Sequence, residues 1–128
     1  MIITGDQIVA HLVGDYLLQS DTMALRKRTS SLWCLIHCAC YTVPFLAVTQ
    51  SPHALMIILD THFLMDRWGL ARYLVWLRNW IGSNQSWANC SKTGFPDDRP
   101  TWLTVWLLII ADNTIHLLFN GLACYWWR

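Results

Sequence analysis

The chain contains no glutamate, and charged side chains of any kind are few. All eight acidic residues among the 128 are aspartates, and charged residues make up only 13% of the sequence, whereas soluble domains average about a quarter. Aspartate is a poor residue for the interior of a helix, so each aspartate in a helical segment requires a reason. The same lack of glutamate leaves no signal for the carboxylate pair of a glycosidase.

Several other signals are missing. The formal net charge is +1 and the densest basic cluster is the short "RKR" at 26–28, so nucleic acid is not expected as a partner. There is no GxSxG motif and no glycine-rich phosphate loop. The five cysteines are odd in number, three of them lie in one apolar run and no CxxC pair occurs, which argues against a disulfide framework. We interpret them as small packing residues, with a Cys/His metal set around "CLIHCAC" and His37 as the alternative. The N-terminus lacks the basic region of a cleavable signal peptide.

Apolar and aromatic residues dominate what is present. Hydrophobic residues make up 55% of the chain, which includes nine tryptophans, and Trp is favoured at lipid–water boundaries. The length fits one domain. We therefore predict a single helical membrane domain over residues 1–128. Its fold class is all-α: a compact membrane-embedded bundle of four to five helices, two to four of them in lipid, with a polar His/Asp cluster between helices.

Hydrophobic periodicity predicts four helical segments, at 6–20, 32–48, 54–80 and 101–127. Asp6 is the expected N-cap of the first, Pro44 should kink the second, and the second half of the third resembles an interfacial helix. A polar loop should occupy 81–100, with Asp97 or Asp98 and then Pro100 marking the start of the last helix. If the second and third segments form a hairpin across the membrane, both basic loops lie on one side. We expect these loops to face the cytoplasm.

Histidine and aspartate recur one helical turn apart inside these apolar segments. The pairs lie in "HLVGD", "HFLMD" and, reversed, "DNTIH", and a lone histidine lies in the second segment. Burying these groups costs several kcal/mol unless they are paired or bound to metal. The predicted metal ligands are His11, Asp15, His37, His62, Asp66, Asp112 and His116. Some of them can act as orienting residues behind the ligands, and a two-metal site or a buried hydrogen-bond network are the alternatives.

The helical rise places the last pair apart from the others. Counting from the basic side, Asp15, His37 and His62 fall at similar depths, but Asp112 and His116 fall roughly 10 Å deeper. Either the last helix begins outside the membrane or its pair does not join the cluster. Imidazole and carboxylate ligands suit a divalent metal, zinc first, with manganese or iron as alternatives. Asp15 and Asp66 are the predicted catalytic residues, as proton carriers.

Three nearby polar residues carry weaker predictions. His53 should be a surface residue, and Asp60 should lie on a different helix face from His62. Arg67 is expected either at the membrane interface or as a clamp for a phosphate group.

"HLVGDYLLQSD", "HFLMDRW" and "DNTIHLL", with His37 between them, resemble an uncharacterised family of small predicted membrane proteins of bacteria and phages. That family is distantly similar to bacterial inner-membrane proteins regarded as metal-dependent hydrolases, and these to the all-helical zinc-dependent phospholipase C type. The resemblance implies a ligand role for the seven residues, a phosphoester substrate, and a location in the inner membrane of a bacterium with the basic loops facing the cytoplasm. The chain is much shorter than a phospholipase C, and no N-terminal amine ligand is evident.

These observations leave three functional hypotheses. The first is a membrane-bound hydrolase of a lipid or nucleotide-like phosphoester, whose partners are the bilayer and a phosphate-containing molecule. The second is a non-enzymatic phage or bacterial membrane protein that modulates the host membrane or a defence system, with a structural polar cluster. The third is a small ion or metal carrier, because ionisable groups inside spans also mark ion paths. The oligomeric state stays open.

Overall fold

The computed structural model describes residues 2–127, and within them every regular element is helical. The helices are α1 Gly5–Leu12, α2 Asp21–Arg26, α3 Ser31–Thr42, α4 Pro52–Trp68, α5 Ala71–Ser83, α6 Trp87–Cys90 and α7 Thr101–Trp126. A π-helical turn, Val13–Leu17, continues α1, and a 3-10 segment, Val43–Ala47, continues α3. The all-α fold class is confirmed.

The first predicted segment begins and ends differently from the prediction. Thr4, not Asp6, is the N-cap of α1: its side chain accepts from the Gln7 amide, and the Gln7 side chain accepts from the Thr4 amide. This reciprocal pair is a capping box, which satisfies two backbone donors at once. The stretch between the first two predicted segments, 21–31, contains the helix α2 in place of a simple connection. The Ser20 side chain caps that helix.

The third predicted segment is two helices. Gly69 has a φ of +58°, a left-handed conformation that glycine adopts without steric cost, and it separates α4 from α5. Pro44 lies in the first turn of the 3-10 segment, so the predicted kink takes the form of a change in helix type after Thr42. The predicted polar loop before α7 contains the short helix α6.

The chain divides into two compact units. The first comprises residues 2–68 and 116–127, and the second comprises Gly69–Ile115. Parts of α1, α3, α4 and α7 enclose the apolar core of the first unit. Its buried members are Ala10, Tyr41, Phe45, Ile58, Ala123 and Cys124. Six of the seven predicted ligands belong to this unit, and whether the two units act as one domain stays a prediction.

In the second unit, α5 is tied to the segment that follows it by side-chain to backbone hydrogen bonds. Arg72 donates to the Ser91 carbonyl at 3.0 Å, and Asn79 donates to the Gly94 carbonyl at 2.7 Å. The ring of Tyr73 stacks on Trp87 with centroids 4.5 Å apart. These contacts give the polar segment before α7 a fixed course along α5.

One helix within residues 2–127 is long and apolar enough to cross a membrane. This is α7, whose most apolar window has a mean hydropathy of 1.5. The continuous helical stretch Ser31–Ala47 is apolar but shorter. A potential membrane span is therefore present, while the embedding of the whole bundle stays a prediction.

Candidate metal centre

Four polar atoms from three separate elements meet inside the first unit. Asp15 comes from the π-helical turn, His37 from α3, and His62 and Asp66 from α4. The His37 Nε2 atom lies 3.0 Å from His62 Nε2, 3.1 Å from Asp66 Oδ2 and 3.3 Å from Asp15 Oδ1. The His62 Nε2 atom lies 3.2 Å from Asp66 Oδ2 and 3.6 Å from Asp15 Oδ1. All four side chains are buried.

These distances are close to those between neighbouring ligand atoms in a tetrahedral metal site. Zinc binds imidazole nitrogen and carboxylate oxygen at about 2.0–2.2 Å, which places tetrahedral ligand atoms about 3.3–3.6 Å from one another. The five measured distances run from 3.0 to 3.6 Å. The carboxylates of Asp15 and Asp66 complete the group, in which all four ligand atoms lie within 4.8 Å of each other. The four atoms are therefore close enough together to hold one metal ion.

Hydrogen bonds alone do not satisfy all four polar atoms of this cluster. Two imidazole nitrogens at 3.0 Å repel each other as acceptors unless one of them carries a proton. Each nitrogen also faces both carboxylates, while a neutral ring has one N–H to give. A divalent cation at the centre would accept a lone pair from all four atoms at once. The structure confirms that the His/Asp cluster has an arrangement that can hold a metal ion. The identity of the metal stays a prediction.

The turn that carries Asp15 depends on a close helix contact. Gly14 packs so tightly on α3 that a Cβ at this position would lie 2.7 Å from Tyr41 Cδ2 and 2.9 Å from the Tyr41 carbonyl oxygen. A side chain at residue 14 would push the turn away from α3. The turn is π-helical, a rare geometry that is frequent at functional sites. The extra residue in the turn changes the direction of Asp15 relative to α1.

Two further histidines face the outer oxygens of the carboxylates. The Nε2 atom of His11 lies 3.8 Å from Asp15 Oδ2, and that of His116 lies 3.6 Å from Asp66 Oδ1. Each therefore approaches the oxygen that does not point at the four-atom centre. This is the position of a residue that orients a ligand, since ligating carboxylates are themselves supported by outer partners.

Tyr41 connects this outer layer to the centre. Its ring stacks on His62 with centroids 3.6 Å apart. Its hydroxyl oxygen accepts a hydrogen bond from Asn120 Nδ2 at 2.6 Å and lies 2.8 Å from His11 Nδ1. Among residues 2–127, the Nδ1 atoms of His37 and His62 have no hydrogen-bond partner. Ring packing, rather than a second hydrogen bond, therefore fixes the orientation of the two imidazoles.

Positive charge lies next to the carboxylates. The Lys27 Nζ atom is 2.8 Å from Asp66 Oδ2. This ammonium favours the ionised form of the carboxyl, which is the state that ligates metal.

The structure brings six of the seven predicted ligands together: His11, Asp15, His37, His62, Asp66 and His116. Asp112 is half-buried and belongs to the second unit, so its ligand role stays a prediction. His116 lies against Asp66 and so joins the cluster. The other alternative, a last helix that begins outside the membrane, stays a prediction.

The weaker predictions have clear outcomes. His53 is exposed, as predicted, and Asp60 is exposed on a different face of α4 from His62. Arg67 donates to the Ser31 hydroxyl at 3.2 Å and to the Arg28 carbonyl. It therefore joins α4 to the segment between α2 and α3. All five cysteines are free thiols, and the four central atoms are nitrogen and oxygen.

Sequence reasoning missed three residues of the site. Tyr41 and Asn120 follow His37 and His116 by four residues, the same spacing that revealed the His/Asp pairs, so extending that pattern to hydroxyl and amide side chains finds them. From the sequence, Lys27 is predicted only to lie in the short basic cluster 26–28. Nothing in its local sequence indicates that it reaches a buried aspartate on α4.

Comparisons with other proteins identify a family but not an activity. No curated protein and no solved structure matches the chain. The family described as "Protein of unknown function (DUF3307)" matches residues 3–119, which is nearly the whole chain and includes all the residues of the four-atom centre. The chain belongs to this uncharacterised family.

Proposed function

We propose that this protein is a membrane-bound, metal-dependent hydrolase of a phosphoester. The observation that supports it is the convergence of two imidazole nitrogens and two carboxylate oxygens at tetrahedral ligand distances. Zinc is the metal that this ligand number and geometry favour, with manganese or iron as alternatives. The phosphoester class comes from the family resemblance and from the cationic Lys27 beside the centre.

We assign the catalytic roles to the two carboxylates, because a residue that exchanges protons with water needs access to solvent. Asp15 and Asp66 are 7% and 6% exposed, whereas His37 and His62 are fully buried. A bound divalent metal would supply an acidified water molecule and a positive charge for a phosphoryl oxygen. Asp15 would take the proton of the attacking water, with His11 facing its other oxygen at 3.8 Å. His37 and His62 hold the metal, and Tyr41 holds His62 in place.

Apolar side chains on the outside of the first unit support a bilayer as partner. Large apolar residues are exposed on the outer faces of α1, α3 and α4, a surface pattern that soluble monomers avoid. They include Ile8, Val9, Leu12, Leu32, Leu35, Met56 and Leu64. Arg67 reaches the backbone of Arg28, so two basic segments share one end of this unit, near Lys27. We propose that this end faces the cytoplasm at the inner membrane, with the site close to the interface.

Hydrolysis of a panel of phospholipids and nucleotide-like diesters, detected as the phosphomonoester and alcohol products, tests the proposal. The zinc-loaded wild type is expected to hydrolyse at least one class. Asp15→Asn keeps the shape of the side chain but removes both the proton acceptor and one charged metal ligand, so the rate at saturating zinc should fall by about a hundredfold or more. Asp60→Asn removes an exposed aspartate elsewhere and should keep the wild-type rate. Equal rates in Asp15→Asn and wild type would refute the catalytic role.

One feature favours a non-enzymatic alternative. Four protein atoms already complete a tetrahedral shell, which is the pattern of structural zinc sites, whereas catalytic sites keep one position open. In that case the protein binds one zinc per chain, hydrolyses no member of the panel, and loses stability rather than activity when a ligand is replaced.

A further inference from the structure

The helix α5 packs within the second unit through one face and leaves the opposite face largely uncovered. Ala71 and Val75 are buried on the inner face. On the same side, Arg72 and Asn79 donate hydrogen bonds to the backbone of the segment that follows the helix. The inner face therefore accounts for the contacts that hold α5 in its unit, and the outer face is available to a partner.

The outer face of α5 is broad and apolar. Its members are between 40% and 72% exposed, and we call them together the α5 face: Tyr73, Leu74, Leu77, Trp80 and Ile81. On a helix these positions fall within about a third of the circumference. Such a continuous apolar patch is rare on soluble monomers, and it marks a surface that binds lipid or another protein.

The length of α5 distinguishes this surface from that of a membrane span. The helix has 13 residues, which extend over about 20 Å, whereas the hydrocarbon core of a bilayer is about 30 Å thick. A short helix with one apolar face and basic flanks lies along the headgroup boundary. Tyr73 and Trp80 suit this boundary, because their rings combine an apolar body with a polar edge.

The charges along the segment that contains the α5 face have one sign. Residues 69–96 include three basic residues and no acidic residue: Arg72, Arg78 and Lys92. A second copy of the chain on this face would bring the same cations opposite each other, and like charges across an interface are unfavourable. Negatively charged lipid headgroups are the complementary partner, since they attract basic segments that lie beside a membrane.

Arg78 is the basic residue placed to contact a headgroup. It follows Leu74 by four residues and precedes Ile81 by three, so it lies at the edge of the α5 face. Its side chain is exposed, and its guanidinium lies over the ring of Phe95, 5.5 Å from the ring centroid. Stacking on a ring uses the flat side of the guanidinium, and the N–H groups at its rim can donate to a phosphate.

From these observations we infer that the α5 face binds the headgroup boundary of an anionic bilayer, with Arg78 donating to a lipid phosphate. The inference rests on the bilayer location in the proposed function, but it requires neither the metal nor hydrolysis. It adds a lipid-binding surface on the second unit to the apolar surface of the first.

Photo-crosslinking in vesicles of phosphatidylcholine and phosphatidylglycerol tests the inference. The full chain carries p-benzoylphenylalanine in place of Ile81 or, in a second sample, in place of Ile110, an exposed residue of α7. Mass spectrometry identifies the lipid in each adduct. At position 81 the ratio of phosphatidylglycerol to phosphatidylcholine adducts should exceed their ratio in the vesicle by about fivefold, the effect expected of one basic residue at an anionic surface.

Two charge variants of the position 81 sample identify the residue responsible. Arg78→Gln should lower the adduct ratio to that of the vesicle. The matched control is Lys92→Gln, which removes the same charge from the same unit at a side chain that is 75% exposed and 3.0 Å from Asp97. It should keep the enrichment, because its charge already has a counter-charge.

Three results would each overturn the inference: lipid adducts at position 110 with none at position 81, adducts at position 81 with a second protein chain only, or the same ratio in Arg78→Gln and the parent chain. No lipid adduct at either position refutes the bilayer location itself, and the inference with it. Zinc content and hydrolysis are measured in separate assays, so failure of the metal centre leaves this result unchanged.

Discussion

Purified wild-type protein is expected to retain about one zinc ion per chain, and His62→Ala to lose it. His62 supplies one of four ligand atoms and is fully buried, so alanine leaves the cation one ligand short. Structural zinc sites bind with about 10–16 kcal/mol in total, so loss of one of four ligands should weaken the affinity about a hundredfold or more. Metal analysis after gel filtration, followed by competition with a zinc-sensitive dye, measures both quantities.

Two further variants separate loss of a ligand from loss of the fold. Asp66→Asn keeps the volume of the side chain and removes the charge, and it should weaken zinc binding to a similar extent. His53→Ala removes an exposed histidine from the same helix and should bind zinc like the wild type. Zinc retained at full affinity in both His62→Ala and Asp66→Asn would contradict the assignment of the centre.

Removal of the metal should lower the thermal stability of the protein by more than about 10 °C. Without a cation, two buried carboxylates face two imidazoles at the centre, and the ammonium of Lys27 contacts only Asp66 among the four central residues. A ligand present at a thousand times its Kd stabilises the folded state by about 4 kcal/mol, and each kcal/mol shifts the Tm of a chain this size by several degrees. Intrinsic tryptophan fluorescence during heating, with and without a strong chelator, measures the shift.

The same experiment on Asp66→Asn provides the control. This variant should unfold at nearly the same temperature with and without chelator, because it holds little zinc in either condition. An unchanged Tm in the chelated wild type would show that the polar cluster supports the fold through hydrogen bonds alone.

The sequence predicted the site most successfully where two ligands share one regular helix. His62 and Asp66 lie one turn apart on α4, and this spacing puts both side chains on one face. The pair His11 and Asp15 has the same spacing but different positions in the site, because the π-helical turn begins between them. Asp15 therefore reaches the centre while His11 contacts its outer oxygen. A π-helical turn has no recognisable local sequence signal, so this division was not predictable.

The helix boundaries that failed depend on tertiary contacts or on single backbone conformations. Gly69 breaks an otherwise continuous apolar pattern because its φ is positive, whereas Gly82 and Gly121 lie within helices. Lys27 joins the site because Arg67 holds the following residues against α4, a contact between residues 39 positions apart. Periodicity describes one helix at a time and carries no information on such contacts.

X-ray absorption spectroscopy of the zinc-loaded protein tests the central claim most directly, because it reports the atoms bound to the metal. We predict four nitrogen or oxygen neighbours at about 2.0 Å, with the outer-shell scattering pattern of two imidazoles. Cys34 and Cys38, whose sulfur atoms lie 4.0 Å apart on α3, are the competing ligands in the first unit. Sulfur neighbours at about 2.3 Å would place the metal at these thiols and contradict the His/Asp centre.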